Sequence, residues 1–106
     1  MAIEPTRAQV RDLIYATAKH YSKKSTVSES YVLGNPIKKN GKIVTKGLGM
    51  DSQVRKGFGG AVNSRIKEAR IKLNKKRAKR FQFATFGAKT KVGDIIDKTH
   101  EKIHAA

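Results

Sequence analysis

Apolar residues near the N-terminus recur with helical spacing. Between Val10 and Tyr21 they follow one another at intervals of three and four residues, which predicts an amphipathic helix with one buried face. Thr6 precedes this stripe, and Gln9 stands three residues later, the arrangement of a capping box. Thr17 interrupts the stripe, but its hydroxyl can bond to a carbonyl one turn earlier. The sequence therefore predicts a first helix that begins after Thr6.

The next segments are typical of β structure. STVSESYVL (25–33) is rich in β-branched and aromatic residues and ends at a Gly-Asn-Pro turn signal. In IKKNGKIV (37–44), Asn40-Gly41 favours a two-residue type I′ hairpin turn. The expected register pairs Ile37 with Val44, Lys38 with Ile43 and Lys39 with Lys42. Two lysines opposed at the hairpin tip repel each other, so the tip suits either solvent or a phosphate.

A glycine-rich stretch (46–60) predicts a flexible connection, with at most one short helical turn at 52–56. A second helix follows, because apolar residues from Val62 to Leu73 recur at spacings of four and three. Residues 65–80, RIKEARIKLNKKRAKR, contain nine Lys or Arg and a single acid, Glu68, which is placed to pair with Lys72. Because arginines continue the apolar edge at 77 and 80, this helix must either end near Lys75 or extend beyond the body of the protein.

Two further elements complete the expected fold. FQFATFG (81–87) has the composition of a strand, and apolar residues from Val92 to Ile103 predict a third helix, with Thr90 as a candidate cap. The order is α-β-β-α-β-α. We predict a small single α+β domain (1–106) with a short antiparallel sheet and a basic second helix.

Charge then narrows the function. The chain has 24 Lys and Arg against 8 Asp and Glu, a formal net charge of +16 on 106 residues. A small domain usually carries a net charge of about 2–8, and a larger excess destabilises the compact state while it attracts polyanions. Nucleic acid, DNA or RNA, is therefore the expected partner, with an acidic protein or a nucleoprotein complex as the alternative. A membrane partner is not expected, because the apolar edges lack the bulky aromatics of interfacial helices.

Composition also bears on compartment. The absence of cysteine excludes disulfides, thiol nucleophiles and cysteine-based metal sites. Neither a membrane-spanning run nor a signal peptide is visible at MAIEPTRAQV, so the predicted location is cytoplasmic, with association to a nucleoid or virion, or nuclear in a eukaryote. KKRAKR (75–80) resembles a nuclear import signal, but within so basic a segment this match has little specificity.

Three short motifs suggest other chemistry without supporting it. HEKIH (100–104) fits the H-E-x-x-H pattern of zinc proteases, but a third ligand is not evident, so neither metal nor cofactor is predicted. KGFG (56–59) matches only the start of an RNA-recognition signature. GFGG (57–60) could place backbone N–H groups against a phosphate, although a plain connection is the more common role of such a segment.

Most aromatic residues are expected in the core, with Tyr31 and Phe58 as the freer candidates for stacking on bases.

The sequence thus predicts a non-enzymatic nucleic-acid-binding protein that contacts the phosphate backbone, with compacting or coat-like behaviour and a slight preference for DNA that no residue supports. A small viral or mobile-element inhibitor or adaptor of a nucleic-acid-handling machine is one alternative, and a ribosomal or RNA-assembly protein is another. The main predicted contact comes from the basic helix and the second from the hairpin. The candidate contact residues are Arg65, Lys67, Arg70, Lys72, Lys75, Lys76, Arg77, Lys79, Arg80, Lys38, Lys39 and Lys42.

Overall fold

Three helices and one hairpin make up the fold, which a computed structural model describes for residues 5–75 and 86–105. The order is α1 (Arg7–Ser22), β1 (Ile37–Lys39), β2 (Lys42–Thr45), α2 (Ser52–Lys72) and α3 (Val92–His104). The two strands form an antiparallel sheet, and each helix packs against the other two. The predicted α+β class is confirmed. The predicted strand at 81–87 lies mostly outside the described residues, and Phe86 and Gly87, which are described, are not in a strand.

The first helix follows its sequence signals. The Thr6 side chain accepts from the Gln9 backbone at 3.3 Å, and the Gln9 side chain accepts from the Thr6 backbone at 2.7 Å, which confirms the capping box. Thr17 donates to the Leu13 carbonyl at 2.8 Å, as expected for a polar residue on a buried helix face. Val10, the first residue of the apolar stripe, is fully buried.

The glycine-rich connection is shorter than predicted, because only residues 46–51 of it precede the helix. Helix α2 begins at Ser52 and passes through Gly57, Gly59 and Gly60, with the Asp51 side chain accepting from the Val54 backbone at 2.8 Å as its N-cap. Helix propensity disfavours glycine by about 1 kcal/mol relative to alanine. Here two of the glycines lie where a side chain would collide with an aromatic ring, so close packing explains their presence within the helix.

The segment 25–33 is not the strand that its composition indicated. The Tyr31 backbone N–H donates to the Ser28 carbonyl at 3.1 Å, and the Ser28 hydroxyl lies 3.3 Å from that of Ser30. These local bonds form a turn that competes with strand pairing. Only Val32 makes bridges, parallel with Gly47 and antiparallel with Lys91.

The core lies between the helices and this irregular segment. It contains Ile14, Leu33, Leu48, Phe58 and Ile96, among other apolar side chains. Helix α3 begins with Lys91 as N-cap and has no side-chain cap bond, so the predicted Thr90 cap is wrong. Thr90 instead belongs to a preceding turn, in which its backbone N–H donates to the Gly87 carbonyl at 3.0 Å. Within the described ranges, no helix combines the length and the hydrophobicity that a membrane crossing requires.

Candidate nucleic-acid interface

The hairpin carries lysines at and beside its tip. Asn40 and Gly41 have φ values of 53° and 77°, as a type I′ turn requires, and Lys39 pairs with Lys42 as predicted. Lys38 pairs with Ile43, also as predicted, but a bulge shifts the Ile37 partner from Val44 to Thr45. All three lysines are exposed, and neither strand packs against a helix in the described part of the chain.

The second group of exposed cations lies in the C-terminal half of α2. Arg65, Lys67 and Lys72 are all solvent-exposed. Glu68 pairs with Arg65, at 3.7 Å, rather than with Lys72, the partner that the i,i+4 spacing predicted. Because this pair is exposed and loose, it contributes little to stability, and Glu68 offsets one of the three exposed positive charges in this half of α2.

Arg70 has a structural position rather than an exposed one. It is 3% exposed, and its Nη1 donates to the carbonyls of Lys102 and Ala105, each at 2.8 Å, and of Ile103 at 3.2 Å. These carbonyls end α3, where a positive charge is favoured by the helix dipole. The predicted contact role of Arg70 therefore does not agree with its position, because the guanidinium is occupied within the protein.

Lys75 is neither fully exposed, like Arg65, nor fully buried, like Arg70. It is half-buried, and its Nζ donates to the His104 carbonyl at 2.9 Å, beside the Arg70 bonds. Together Arg70 and Lys75 attach the end of α2 to the end of α3. Sequence spacing placed both on a basic surface because it does not show which carbonyls of another helix come near.

Helix α2 ends at Lys72, the earlier of the two outcomes expected for it. Asn74 adopts a left-handed conformation with φ of 54°, and the Lys75 backbone N–H donates to the Arg70 carbonyl at 2.9 Å. This is the bond pattern of a Schellman motif, which redirects the chain after a helix. Four predicted contact residues follow this turn and lie outside the described residues: Lys76, Arg77, Lys79 and Arg80.

Acidic side chains are concentrated away from the hairpin. No acid occurs between Glu29 and Asp51, whereas α3 exposes three, Asp94, Asp97 and Glu101. The hairpin region is therefore positive throughout, which also draws in the exposed Lys46 that sequence reasoning did not include. The signal for Lys46 was the acid-free run itself, which extends past the hairpin on both sides.

One ion-pair cluster lies on the side of α3. The Arg7 guanidinium donates from Nε to Asp97 Oδ1 at 2.6 Å and from Nη2 to Glu29 Oε1. The hydrogen bond from Arg7 lowers the pKa of Glu29 below its usual value, and the two carboxylates raise the pKa of Arg7. Glu29 and Asp97 thus connect the segment before the hairpin to α1 and α3.

The HEKIH segment does not assemble a metal centre among the described residues. His100 and His104 have ring centroids 4.6 Å apart, but His104 Nε2 bonds to the Pro5 carbonyl at 2.5 Å. Residues 5–75 and 86–105 contain no group of three or more His, Cys, Asp or Glu side chains able to hold a metal. Burial lowers the pKa of His100, and the neighbouring His104 and Arg7 lower it further, against the opposite effect of Asp97.

The remaining motifs serve the core. Phe58 of KGFG is fully buried, with its ring edge-to-face on Tyr21 and Phe86 at centroid distances of 6.3 and 5.8 Å. It is therefore unable to stack on bases, contrary to its prediction as a freer aromatic, whereas Tyr31 is half-buried. The GFGG glycines lie inside α2, where backbone N–H groups serve the helix rather than a phosphate.

A groove of about 720 Å³ runs between α1 and α2 beside the basic half of α2. Its lining includes both signs of charge, with Asp12 and Glu68 near Arg65 and Lys72. This mixture distinguishes the groove from the hairpin, where the charge is of one sign.

No family model, no curated protein and no solved structure matches the chain.

Proposed function

We propose that this protein is a non-enzymatic nucleic-acid-binding protein that contacts the sugar-phosphate backbone through the hairpin and the C-terminal half of α2. The observation that carries the proposal is the hairpin tip. Lys38, Lys39 and Lys42 lie exposed there, and no acidic side chain among the described residues forms an ion pair with them. Like charges opposed across a hairpin are destabilising, and phosphates between or beside them would reverse the sign of that interaction.

The second support is the exposure of Arg65, Lys67 and Lys72. Ordinary solubility does not require a net charge of +16, whereas polyanion binding uses it directly. Arg70 and Lys75 are left out of the proposed contact because they bond to α3, and the cations at 76–80 belong to it on sequence grounds alone.

A salt titration tests the proposal. If the six exposed cations, Arg65, Lys67, Lys72, Lys38, Lys39 and Lys42, each neutralise one phosphate, log K should fall against log[salt] with a slope of about −5 on B-form DNA. Further contacts from residues 76–80 would make the slope steeper. A slope near zero, or no binding to DNA or RNA in dilute buffer, would contradict the proposal.

A charge-reversal pair locates the contact. Arg65→Glu with Lys72→Glu should weaken binding strongly, because their seven-residue spacing puts both exposed cations on one side of α2. Lys19→Glu with Lys98→Glu is the matched control, because it reverses two exposed lysines, on α1 and α3, that lie outside the proposed contact. Equal losses from both would indicate that only net charge matters.

The biological role that we propose is coverage or compaction of nucleic acid in the cytoplasm, in a nucleoid or in a virion, with DNA weakly preferred. Material that co-purifies without nuclease treatment identifies the nucleic acid. A protein that stays bound after nuclease treatment, combined with loose binding of free nucleic acid, would instead favour an inhibitor or adaptor.

A further inference from the structure

The hairpin carries exposed apolar residues as well as lysines. Ile43 is 55% exposed and Val44 is 58% exposed, although β-branched residues of a two-stranded sheet are usually covered on one face. Neither strand packs on a helix in the described ranges, so the core does not use these side chains. A partner that binds both the lysines at the tip and the apolar side chains of Ile43 and Val44 would explain the composition of this hairpin, which we also call the arm.

The strand register places one cation and one apolar side chain together. Lys38 and Ile43 are directly opposite each other, and residues that are opposite in an antiparallel pair share a face. Lys39 and Lys42 are opposite each other on the other face, next to the turn. The bulge beyond Lys38 leaves Val44 without a direct partner, and bulges increase the local twist of a ribbon.

From this arrangement we infer that the hairpin enters the major groove of B-form DNA, with Lys38 and Ile43 towards the base edges. This inference rests on the proposed function. The major groove of B-form DNA is wide enough for a two-stranded ribbon, whereas the major groove of A-form RNA is deep and narrow. Among nucleic acids, duplex DNA is therefore the partner that fits this arm.

The chemistry of the two faces agrees with such a position. In the major groove, the thymine methyl group is the apolar feature of the base edges, and Ile43 can contact it. Lys38 can donate to the O6 and N7 acceptors of guanine. Lys39 and Lys42, at the tip and on the opposite face, reach towards the flanking phosphates. The acid-free run from residue 30 to residue 50 removes any repulsion between this arm and the DNA.

Removal of the thymine methyl group tests the inference directly. The probes are a duplex of alternating adenine and thymine and the same duplex with uracil in place of thymine, both measured by fluorescence anisotropy at one salt concentration. The native protein should bind the uracil duplex about fourfold more weakly for each methyl group contacted, the effect expected for one buried CH₂. A double-stranded RNA of matched length should bind more weakly still.

Two serine variants assign the effect to the hairpin. Ile43→Ser should bind both duplexes equally, while Ile71→Ser should retain the native difference. Ile71 is a suitable control because it is also an exposed isoleucine, 66% accessible, but it lies near the C-terminal end of α2. Circular dichroism checks that both variants are folded.

The outcomes separate the two proposals. If the native protein binds both duplexes with equal affinity and a steep salt dependence, the groove inference is wrong and backbone binding stands. Equal affinity for double-stranded RNA would also overturn the inference, as would an Ile43→Ser variant that keeps the thymine preference. If no nucleic acid binds at all, the proposed function itself fails.

Discussion

Gly59 of α2 lies directly against the ring of Phe86. A Cβ atom on Gly59 would stand 2.9 Å from Cδ2 of that ring, closer than side chains tolerate. Phe86 is itself 2% exposed, so its ring has little room to move. A glycine inside a helix is therefore the residue that lets α2 approach the segment leading to α3.

The first prediction compares two adjacent glycines. Gly59→Ala should lower the free energy of unfolding by about 1–3 kcal/mol, because overpacking outweighs the gain in helix propensity. Gly60→Ala should raise it by up to about 1 kcal/mol, since nothing lies within 4 Å of a Cβ there. Urea denaturation measures both. Stabilisation by both substitutions would show that the contact with Phe86 is not tight.

This contact also shows why the start of α2 was not predicted. Propensity reasoning counted the glycines as a connection, but packing between residues far apart in sequence overrides propensity. Gly57 also packs closely against an aromatic ring, because a Cβ added to it would lie 3.0 Å from Cε1 of Tyr21. By contrast, the Thr6 capping box and the Asn40-Gly41 turn depend on residues at most three positions apart, and both were predicted correctly.

The residues of the candidate interface also differ in whether nearby or distant parts of the sequence determine their exposure. Exposure of Lys38, Lys39 and Lys42 follows from a local hairpin turn, which the sequence shows. Burial of Arg70 depends on where the last turn of α3 ends, and a single helix does not reveal this. Charge alone therefore identified the basic segment, but could not separate the cations that face solvent from those that hold the helices together.

The second prediction separates structural from contact cations. Arg70→Gln should lower the free energy of unfolding by about 2–3 kcal/mol, because charge-assisted bonds to two α3 carbonyls and to the Ala105 carbonyl are lost. The folded variant should keep the native salt slope for DNA. Lys67→Gln is the converse case, with unchanged stability and a slope reduced by about 1. A native-like stability for Arg70→Gln would contradict the capping role.

The third prediction concerns the lysines of the hairpin. Replacement of Lys38, Lys39 and Lys42 by Gln should reduce the magnitude of the salt slope by about 3 if all three lysines contact phosphates, and by about 2 if Lys38 contacts a base instead. Thermal stability should stay the same or increase, since the Lys39–Lys42 repulsion at the tip disappears. Lys19→Gln, an exposed site on α1, is the control. An unchanged slope in the triple variant would remove the hairpin from the contact.

The fourth prediction concerns pH. Burial, His104 and Arg7 keep the pKa of His100 below its usual value, so the unfolded chain binds the proton more tightly than the folded protein does. Stability from this site is therefore complete above the unfolded pKa of about 6.5 and is lost as the pH falls through the lower folded value. Urea denaturation between about pH 7.5 and about pH 5 should show this decrease.

Substitution assigns the pH effect to the histidine. His100→Asn should make stability depend less on pH in that range, because the asparagine side chain does not titrate. His20→Asn, the same substitution at an exposed histidine of α1, is the matched control. The pKa of Glu29 is also lowered, so this carboxylate stabilises the folded protein while it is ionised. That stabilisation is lost only when the pH falls below about 4.5, outside the range in which His100 is measured. If His100→Asn kept the full dependence, the assignment of the pH effect to His100 would be wrong.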